Sequence, residues 1–350
     1  MTPIRVIVID DSAFMRKMIS DILETDNRIQ VISTARNGVD GLKKIIELSP
    51  DVVTLDVEMP IMDGITALEH IMEQHPVPVV MLSSLTKDGT INTMKAITNG
   101  AVDFIPKPSG SISLDITTIE HEIINKVIAA SKVNLSDSNV SVRSPKINRA
   151  KLKHPTTMVF IGASTGGPRA LQRLILDLPK DFSCPVLVVQ HMPAGFTKSL
   201  ADRLNNLSDL HIKEATHGEI IKDRTIYIAP GDYHMKIRRA GTVHAIELTQ
   251  ESLRAGHRPA VDIMLESAAN LSQVNKLAVI LTGMGSDGSK GIEILKKTDP
   301  ETTVIAESKE SAIINGMPNA AVKTNAVNYI VHIQQMGEMI HALTNRSGGF

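Results

Sequence analysis

Short apolar runs alternate with amphipathic segments of helix length along most of the chain. In the first third, five Val- and Ile-rich runs predict strands, and the segments Ala13–Glu24 and Gly38–Leu48 have the spacing of helices. The predicted strands are Arg5–Ile9, Ile29–Ala35, Val52–Leu55, Val77–Leu82 and Val102–Ile105. Because most of these runs are continuously apolar, they are typical of a parallel sheet covered by helices on both faces.

The rear of the chain repeats this pattern. Its predicted strands are Met158–Ile161, Pro185–Gln190, Thr225–Ile228, Leu277–Leu281 and Thr303–Ala306. No apolar run approaches the roughly 18 residues that a membrane-spanning helix needs, so direct insertion into a membrane is not expected. Both halves are therefore predicted to be doubly wound α/β domains with parallel sheets.

A polar, basic segment separates the two halves. Residues 131–155 hold six basic residues, one acidic residue and five serines, with no aromatic residue. Such a stretch buries too little apolar surface to fold alone, so we predict a flexible linker over residues 127–155. Domains are expected on either side, at residues 1–126 and 156–346. With 350 residues, the chain is long enough for two separate cores.

Charge and cysteine content narrow the class of function. The 37 Lys and Arg residues nearly balance the 38 Asp and Glu residues. Residues 156–350 hold 20 basic and 19 acidic residues and lack a basic helix-turn-helix pattern, so nucleic acid is not an expected partner. The single cysteine, Cys184, excludes an intramolecular disulfide and fits a reducing compartment. We therefore expect a cytoplasmic protein.

Three carboxylates follow strands of the first predicted sheet. Asp10 and Asp11 come directly after the first strand, and Asp56 after the third. The carboxyl ends of parallel strands meet at one edge of a sheet, so these side chains are expected to converge. An all-oxygen set suits Mg²⁺, with the backbone carbonyl of Glu58 as a further ligand. Taken alone, Asp10 or Asp11 is more simply explained as a helix cap.

Two further polar residues are expected at the same edge. Ser83 ends the fourth strand and Lys107 the fifth, where a hydroxyl and an ammonium can bind a phosphoryl group placed on Asp56. Together with the double aspartate and the VEMPIMDG segment after Asp56, they resemble the receiver domain of two-component response regulators over residues 4–125. The resemblance implies a five-stranded flavodoxin-like fold and phosphorylation of Asp56 by a histidine kinase. It also implies Mg²⁺ on the aspartates, Lys107 as the phosphate contact, and Ser83 and Phe104 as switch residues.

A candidate nucleophile opens the rear domain. MVFIGASTGGP places Ser164 between a strand and a helix N-terminus, where backbone N–H groups favour negative charge. His191 follows the next strand, and Asp287 lies in the glycine-rich loop after a later one. In one crevice, His191 would act as general base and Asp287 would orient it. The spacing alone leaves open a phosphate-binding loop, or Asp287 as the cap of a helix that begins at Gly288.

The order of several segments decides between these alternatives. GASTGGP, QHMP, IAPGDYHM, RPAVDIM, LTGMGSDG and NGMPNA resemble the catalytic domain of chemotaxis protein-glutamate methylesterases, within residues 156–345. The resemblance implies a Rossmann-like α/β esterase domain. The site residues that it implies are the triad Ser164, His191 and Asp287, the site-lining Thr165, and Met284 with an oxyanion-hole N–H.

The two resemblances together imply a phosphorylation-activated serine esterase. It would hydrolyse glutamate γ-methyl esters on the cytoplasmic domains of chemoreceptors, release methanol and deamidate receptor glutamines, with no cofactor for the ester reaction. A chemotaxis histidine kinase would be the phosphodonor, and the unphosphorylated receiver would cover the esterase cleft. The rival hypotheses are a receiver joined to an inactive nucleotide-binding module and a receiver-driven transcription factor.

Four other residues in family-like segments receive no catalytic assignment. His234 and His257 are interpreted as structural or surface residues. Arg254 and Arg258 are interpreted either as solvated or as facing an acidic receptor surface.

Overall fold

The computed structural model describes residues 2–107, 116–133 and 152–345. The chain divides into two compact units, residues 1–140 and 141–350, and each unit has its own sheet. Among the helices in the described ranges, none has the length and apolar content to cross a membrane.

In the first unit, strands and helices alternate along the described residues. The strands are β1 (Ile4–Ile9), β2 (Ile29–Ala35), β3 (Val52–Asp56), β4 (Val79–Ser83) and β5 (Asp103–Pro106). The helices are α1 (Ala13–Glu24), α2 (Gly38–Leu48), α3 (Gly64–Gln74), α4 (Lys87–Thr98) and α5 (Ile116–Ala130). The strands are parallel, in the order β2-β1-β3-β4-β5. The predicted fold class is therefore confirmed for this unit.

The order of the strands positions the acidic residues. Residues 6–9 of β1 are fully buried because their side chains are apolar toward both faces of the sheet. The strand order reverses between β1 and β3, where Ile9 lies opposite Leu55. Asp10 and Asp56 follow this pair, so both lie at the switch point where open α/β sheets bind ligands.

The second unit is built on a larger parallel sheet. Its parallel strands are β6 (Thr156–Ala163), β7 (Val186–Gln190), β8 (His211–Glu214), β9 (Thr225–Ile228), β12 (Val274–Ile280), β13 (Thr303–Glu307) and β14 (Tyr329–Val331). An antiparallel hairpin consists of β10 (His234–Ala240) and β11 (Val243–Thr249). The helices are α6 (Gly167–Leu176), α7 (Phe196–Leu207), α8 (Val261–Ala269), α9 (Ser289–Thr298), α10 (Gly316–Lys323) and α11 (Ile333–Thr344).

The strand order β14-β13-β12-β6-β7-β9-β8 also has a switch point. It lies between β6, the first strand of this unit, and β12. The chain leaves β6, β7 and β12 at the same edge of the sheet because all three run in parallel. The parallel α/β fold predicted for the rear half is confirmed, and this edge is where a ligand site is expected.

Several features differ from the sequence-based expectation. Strand β8 was not predicted because its four residues, HIKE, include a single apolar one, and β14 was not predicted because it has only three residues. The hairpin was not predicted because β10 mixes buried apolar positions with exposed arginines. Helix α5 continues to Ala130, past the predicted domain end at residue 126 and into the predicted linker. Residues 134–151 of that linker lie outside the described residues.

Candidate functional site

Three carboxylates meet at the edge of the first sheet. Asp10, Asp11 and Asp56 each offer a ligand oxygen, and these atoms lie within 4.8 Å of one another. The Glu58 N–H donates to Asp56 Oδ1 (3.4 Å), so the chain turns directly after Asp56. Helix α1 is capped by the Ser12 side chain and not by either neighbouring aspartate. This all-oxygen donor set fits a hard divalent cation such as Mg²⁺.

Lys107 lies between the two buried carboxylates. Its Nζ is 2.9 Å from Asp10 Oδ2 and 2.8 Å from Asp56 Oδ2. Its backbone N–H donates to the Ser83 carbonyl (2.7 Å), which fixes the residue after β5. Burial raises the pKa of Asp56 to about 6, against the hydrogen bond from Lys107, and the Asp10 charge adds to the rise. A cation or a proton at this edge therefore relieves an unfavourable concentration of negative charge.

Of the two predicted switch residues, Ser83 ends β4 and Phe104 lies within β5. The buried Ser83 hydroxyl is hydrogen-bonded to the Gly89 carbonyl (3.2 Å) and to the Thr93 hydroxyl, both in α4. Phe104 is buried in β5, and the Lys126 ammonium lies 5.0 Å from the centre of its ring. Ser83 therefore connects the end of β4 to α4, while Phe104 is packed against the inner side of α5.

Ser164 occupies the turn between β6 and α6. Its N–H donates to the Thr282 carbonyl (3.0 Å), and its carbonyl accepts from the Gly167 N–H (2.7 Å) and the Gln190 side-chain amide (2.9 Å). Gly166 has a φ of +76°, a left-handed conformation that glycine adopts readily. A Cβ on Gly167 would lie 1.9 Å from Gln190 Oε1, so a side chain has no room there. These contacts hold Ser164 half-buried before the first turn of α6.

His191 stands beside Ser164 at the same edge. The pairing of β6 and β7 ends with Ala163 opposite Gln190. Ser164 and His191 directly follow these two strands. The His191 N–H donates to the Ala163 carbonyl (3.1 Å). The His191 side chain is only 6% exposed, and its Nδ1 makes no hydrogen bond with any residue that the structure describes.

Asp287, in the loop after β12, binds the other ring nitrogen. Its Oδ2 lies 2.8 Å from His191 Nε2. The carboxylate also accepts from the N–H groups of Val261 (2.6 Å), Asp262 (2.9 Å) and Gly288 (3.0 Å). Burial favours a raised pKa of Asp287, but His191 and the backbone donors hold that pKa below its ordinary value. An ionised Asp287 can stabilise an imidazolium.

A second aspartate, which the sequence patterns did not single out, completes this arrangement. Asp262 lies in the first turn of α8, and its Oδ1 accepts from the N–H groups of Gly288 (2.9 Å) and Gly291 (2.8 Å) at the start of α9. The preceding residues of the two helices, Ala260 and Gly288, supply no side-chain cap. Asp287 therefore caps α8, while Asp262 caps α9.

The loop after β12 packs against the turn that carries Ser164. The Thr282 hydroxyl donates to the carbonyl of the buried Thr165 (3.0 Å). A Cβ on Gly283 would lie 2.8 Å from the Ser164 Cβ, so the two backbones approach closely. Met284 follows and is 40% exposed. The two predicted site-lining residues thus lie on segments that meet at Ser164.

A second imidazole covers one face of His191. The rings of His191 and His257 are stacked, with centroids 3.9 Å apart and an interplanar angle of 12°. His257 lies on a tight turn in which Arg254 and His257 exchange two backbone hydrogen bonds (3.1 and 3.0 Å). The Arg254 guanidinium donates to Glu266 Oε2 (3.0 Å), which attaches this turn to α8. His257 therefore contacts the site, although no spacing in the sequence indicated it.

The other two residues singled out in this region make structural contacts. His234 is fully buried, its Nε2 lies 3.1 Å from the Ser252 carbonyl, and burial lowers its pKa. The Arg258 guanidinium donates to the carbonyls of Gln250 (3.2 Å) and Glu251 (2.9 Å). Both residues hold the loop between β11 and α8.

Comparisons with known proteins agree with this fold. The family model "Response regulator receiver domain" matches residues 6–117, and the model "CheB methylesterase" matches residues 159–340. The catalytic domain of the Thermotoga maritima CheB methylesterase, a crystal structure, is 43% identical and has a TM-score of 0.51. The match covers 53% of this chain and 98% of that domain.

Whole-length relatives extend the comparison to both units. A protein-glutamate methylesterase/protein-glutamine glutaminase of Oceanobacillus iheyensis is 53% identical over 348 residues, 97% of this chain and 99% of that protein. One with the same name from Bacillus subtilis is 47% identical over 348 residues, 96% of this chain and 97% of that protein.

The first unit is a receiver, and the second is a parallel α/β domain with a serine at its switch point. This combination defines a response regulator whose output domain is an enzyme. The chain belongs to the CheB methylesterase family. Its enzyme class is protein-glutamate methylesterase with protein-glutamine glutaminase, as predicted from the sequence, and its role is in chemotaxis.

Proposed function

We propose that this protein is a phosphorylation-activated serine esterase that hydrolyses glutamate γ-methyl esters on the cytoplasmic domains of chemoreceptors. The products are glutamate and methanol. The observation that carries this proposal is the 2.8 Å contact between His191 Nε2 and Asp287 Oδ2 beside Ser164. It supports a triad in which Ser164 is the nucleophile, His191 the base and Asp287 the orienting carboxylate.

In the first step, the Ser164 Oγ attacks the ester carbonyl and forms a bond to its carbon. Asp287 occupies Nε2 of His191, so Nδ1 is the nitrogen that takes the Ser164 proton. The developing oxyanion is stabilised by backbone N–H groups, to which Met284 contributes and beside which Thr165 lines the site. An oxyanion-hole donor of this kind lowers the barrier by about 3–4 kcal/mol in other serine hydrolases.

In the second step, the C–O bond to methanol breaks, and the imidazolium of His191 protonates the leaving oxygen. Water then attacks the acyl-enzyme, with His191 as base again, and releases the glutamate carboxylate. A glutamine side chain follows the same route with ammonia as the leaving group, so one triad serves both activities of the family. These steps use the triad side chains, the backbone N–H groups beside Ser164 and one water molecule.

The receiver supplies the control. Asp56 is the proposed phosphoacceptor, and a chemotaxis histidine kinase is the proposed phosphodonor. Mg²⁺ held by Asp10, Asp11, Asp56 and the Glu58 carbonyl would neutralise charge during phosphoryl transfer. Lys107, already within 2.9 Å of two carboxylates, would bind the phosphoryl oxygens.

The phosphoryl charge on Asp56 would then change the conformation of the receiver surface through the switch residues. Ser83 contacts α4 and Phe104 lies in β5, so both connect the phosphorylation site to outer elements. The proposed domain boundaries are residues 1–126 and 156–346 with a linker at 127–155, and the proposed location is the cytoplasm.

Methanol release from methylated receptor membranes tests the proposal. The full chain should release methanol, faster with a small phosphodonor such as acetyl phosphate. Ser164→Ala should release none under either condition while keeping the wild-type melting transition. Methanol release by the Ser164→Ala variant would refute the triad, and an unresponsive wild type would refute activation by phosphorylation.

A further inference from the structure

Glu307 is a buried carboxylate that the proposed mechanism does not use. It ends β13 and is 2% exposed. Its Oε2 accepts from the Thr282 N–H (2.7 Å), and its Oε1 accepts from the Ser311 hydroxyl (2.9 Å). Both donors are uncharged. A carboxylate removed from water with only neutral donors is costly, so its ionised state depends closely on these two bonds.

Thr282 connects this carboxylate to the nucleophile. While its N–H donates to Glu307, its carbonyl accepts from the Ser164 N–H (3.0 Å). Its hydroxyl donates to the Thr165 carbonyl (3.0 Å) and accepts from the Ile314 N–H (2.9 Å). A movement of the Thr282 peptide therefore displaces the Ser164 turn as well.

The residues on both sides of Thr282 leave little freedom. The Gly283 N–H donates to the Ile314 carbonyl (2.9 Å), and Gly283 lies too close to Ser164 to carry a side chain. The Ser311 hydroxyl accepts from the Ile333 N–H (3.0 Å). Glu307 thus joins the loop before Met284 to the start of α11.

We propose that Glu307 is a positioning residue for the esterase site: its carboxylate fixes the Thr282 peptide, and the site is fully active only when that carboxylate is ionised. This inference rests on the proposed triad. A neutral carboxyl is a weaker acceptor for the Thr282 N–H than a carboxylate, and a hydrogen on Oε1 points at the Ser311 oxygen, so the bond between Glu307 and Ser311 must reverse its direction. Burial raises the pKa of Glu307 to about 7, so the change falls near neutral pH.

Other ionisable groups lie on neighbouring elements and at the proposed triad. They are Lys309 and Glu310 on the loop after β13, Tyr329 on β14, His332 before α11, Lys323 at the end of α10, and His191 and Asp287 of the triad. Lys309 and Glu310 are exposed, and Glu310 interacts with Lys309 and His332. Glu310 therefore provides a matched control on the same loop, outside the buried contact.

The first test is the pH dependence of methanol release by the full chain. As the pH falls through about 7, wild-type kcat should drop about 5- to 10-fold more than that of Glu307→Gln, because only the wild type loses an ionised carboxylate at this position. Glu307→Gln cannot satisfy both donors in the same way, so its kcat at about pH 8 should be about 5- to 10-fold lower, with KM unchanged. Its kcat should not show this additional drop as the pH is lowered through about 7. Glu310→Gln should behave as wild type.

The second test does not depend on esterase activity. The chemical shifts of the Thr282 amide, followed by NMR in the full chain, should titrate with a midpoint near 7 in wild type and in Ser164→Ala, but not in Glu307→Gln. If Glu307→Gln does not fold, the wild-type titration and its match to the kcat profile decide the question. A Thr282 amide that does not titrate, or a Glu307→Gln enzyme with wild-type kcat and acid limb, would overturn the inference. Activity of Ser164→Ala would instead refute only the proposed triad.

Discussion

Asp262 and Asp287 cap each other's helices. Asp287, which precedes α9, accepts from the first N–H groups of α8, and Asp262, within α8, accepts from the first N–H groups of α9. The carboxylate that contacts His191 therefore also bonds two helices together. The free energy of folding and the geometry of the site depend on the same oxygen atoms.

Two substitutions at Asp262 should distinguish the contribution of its capping hydrogen bonds from that of its negative charge. Asp262→Ala leaves the buried Gly291 N–H without an acceptor and the Gly288 N–H with Asp287 alone, and it should lower the free energy of unfolding by about 1–2 kcal/mol. Burial, with a contribution from the charge of Asp287, raises the pKa of Asp262, so the neutral amide of Asp262→Asn should be tolerated. Urea titration measures both variants. Equal stability of the alanine variant and wild type would show that water replaces this cap.

Asp287→Asn should lose activity much more than stability. The amide oxygen can still accept from the Asp262 and Gly288 N–H groups, but an NH₂ in place of Oδ2 cannot accept from Val261, and the side chain carries no charge to stabilise the imidazolium of His191. We expect kcat for methanol release to fall by about 10²- to 10⁴-fold. Asp262→Asn is the matched control and should stay within a few-fold of wild type. A kcat for Asp287→Asn similar to that of the control would contradict the orienting role.

The stacked ring of His257 should contribute to turnover through His191. A parallel aromatic contact is worth about 0.5–1.5 kcal/mol, and here it limits rotation of the His191 ring. His257→Ala should therefore lower kcat by about 2- to 10-fold with little change in KM, while His257→Phe should restore most of the loss. If alanine and phenylalanine variants have the same kcat as wild type, the stack has no role in positioning.

The stability of the receiver should depend on pH and on Mg²⁺. The pKa of Asp56 is raised to about 6, so the folded state binds a proton more tightly than the unfolded state. The associated stabilisation is complete below the ordinary value of 3.8 and is lost as the pH rises through about 6. Calorimetry should thus show stabilisation by Mg²⁺ at about pH 8 that shrinks at about pH 5.

Asp56→Asn provides the control for that measurement. It should remove this pH dependence and weaken the response to Mg²⁺. An equal effect of Mg²⁺ on wild type and Asp56→Asn at both pH values would contradict binding at this cluster.

Asp56→Asn should also abolish stimulation of methanol release by acetyl phosphate, because the amide cannot accept a phosphoryl group. Basal release should remain measurable, since Ser164 is unaltered. Asp21→Asn, at an exposed aspartate of α1, is the control and should respond as wild type. Normal stimulation of Asp56→Asn would show that phosphorylation occurs at another residue.

The first sheet was predictable because its strands are continuous apolar runs. Each of its five observed strands begins and ends within two residues of the predicted limits, and α1 and α2 have the predicted bounds. The acidic edge followed from the same pattern, since residues after parallel strands converge. The meeting of His191 and Asp287 followed in the same way, although their chemical roles remain a prediction.

Other contacts could not be predicted because they depend on tertiary packing. His257 comes from a loop whose position is set by the hairpin and α8, and its ring reaches His191 across 66 residues of sequence. The exchange between Asp262 and Asp287 requires two helices to pack side by side, which no local periodicity indicates. Glu307 directly follows the predicted strand Thr303–Ala306, and only the folded chain shows that it binds Thr282.

The parallel ladder between β6 and β7 sets how this enzyme can vary. Ser164 and His191 occupy the next rung beyond Ala163 and Gln190, so the backbone ladder, and not an adjustable loop, sets their spacing. Deleting one residue from β7 would slide the imidazole by about 3.3 Å and turn it to the opposite face of the sheet. Insertions and deletions can therefore be tolerated in the surface connections, but the register between β6 and β7 must be kept.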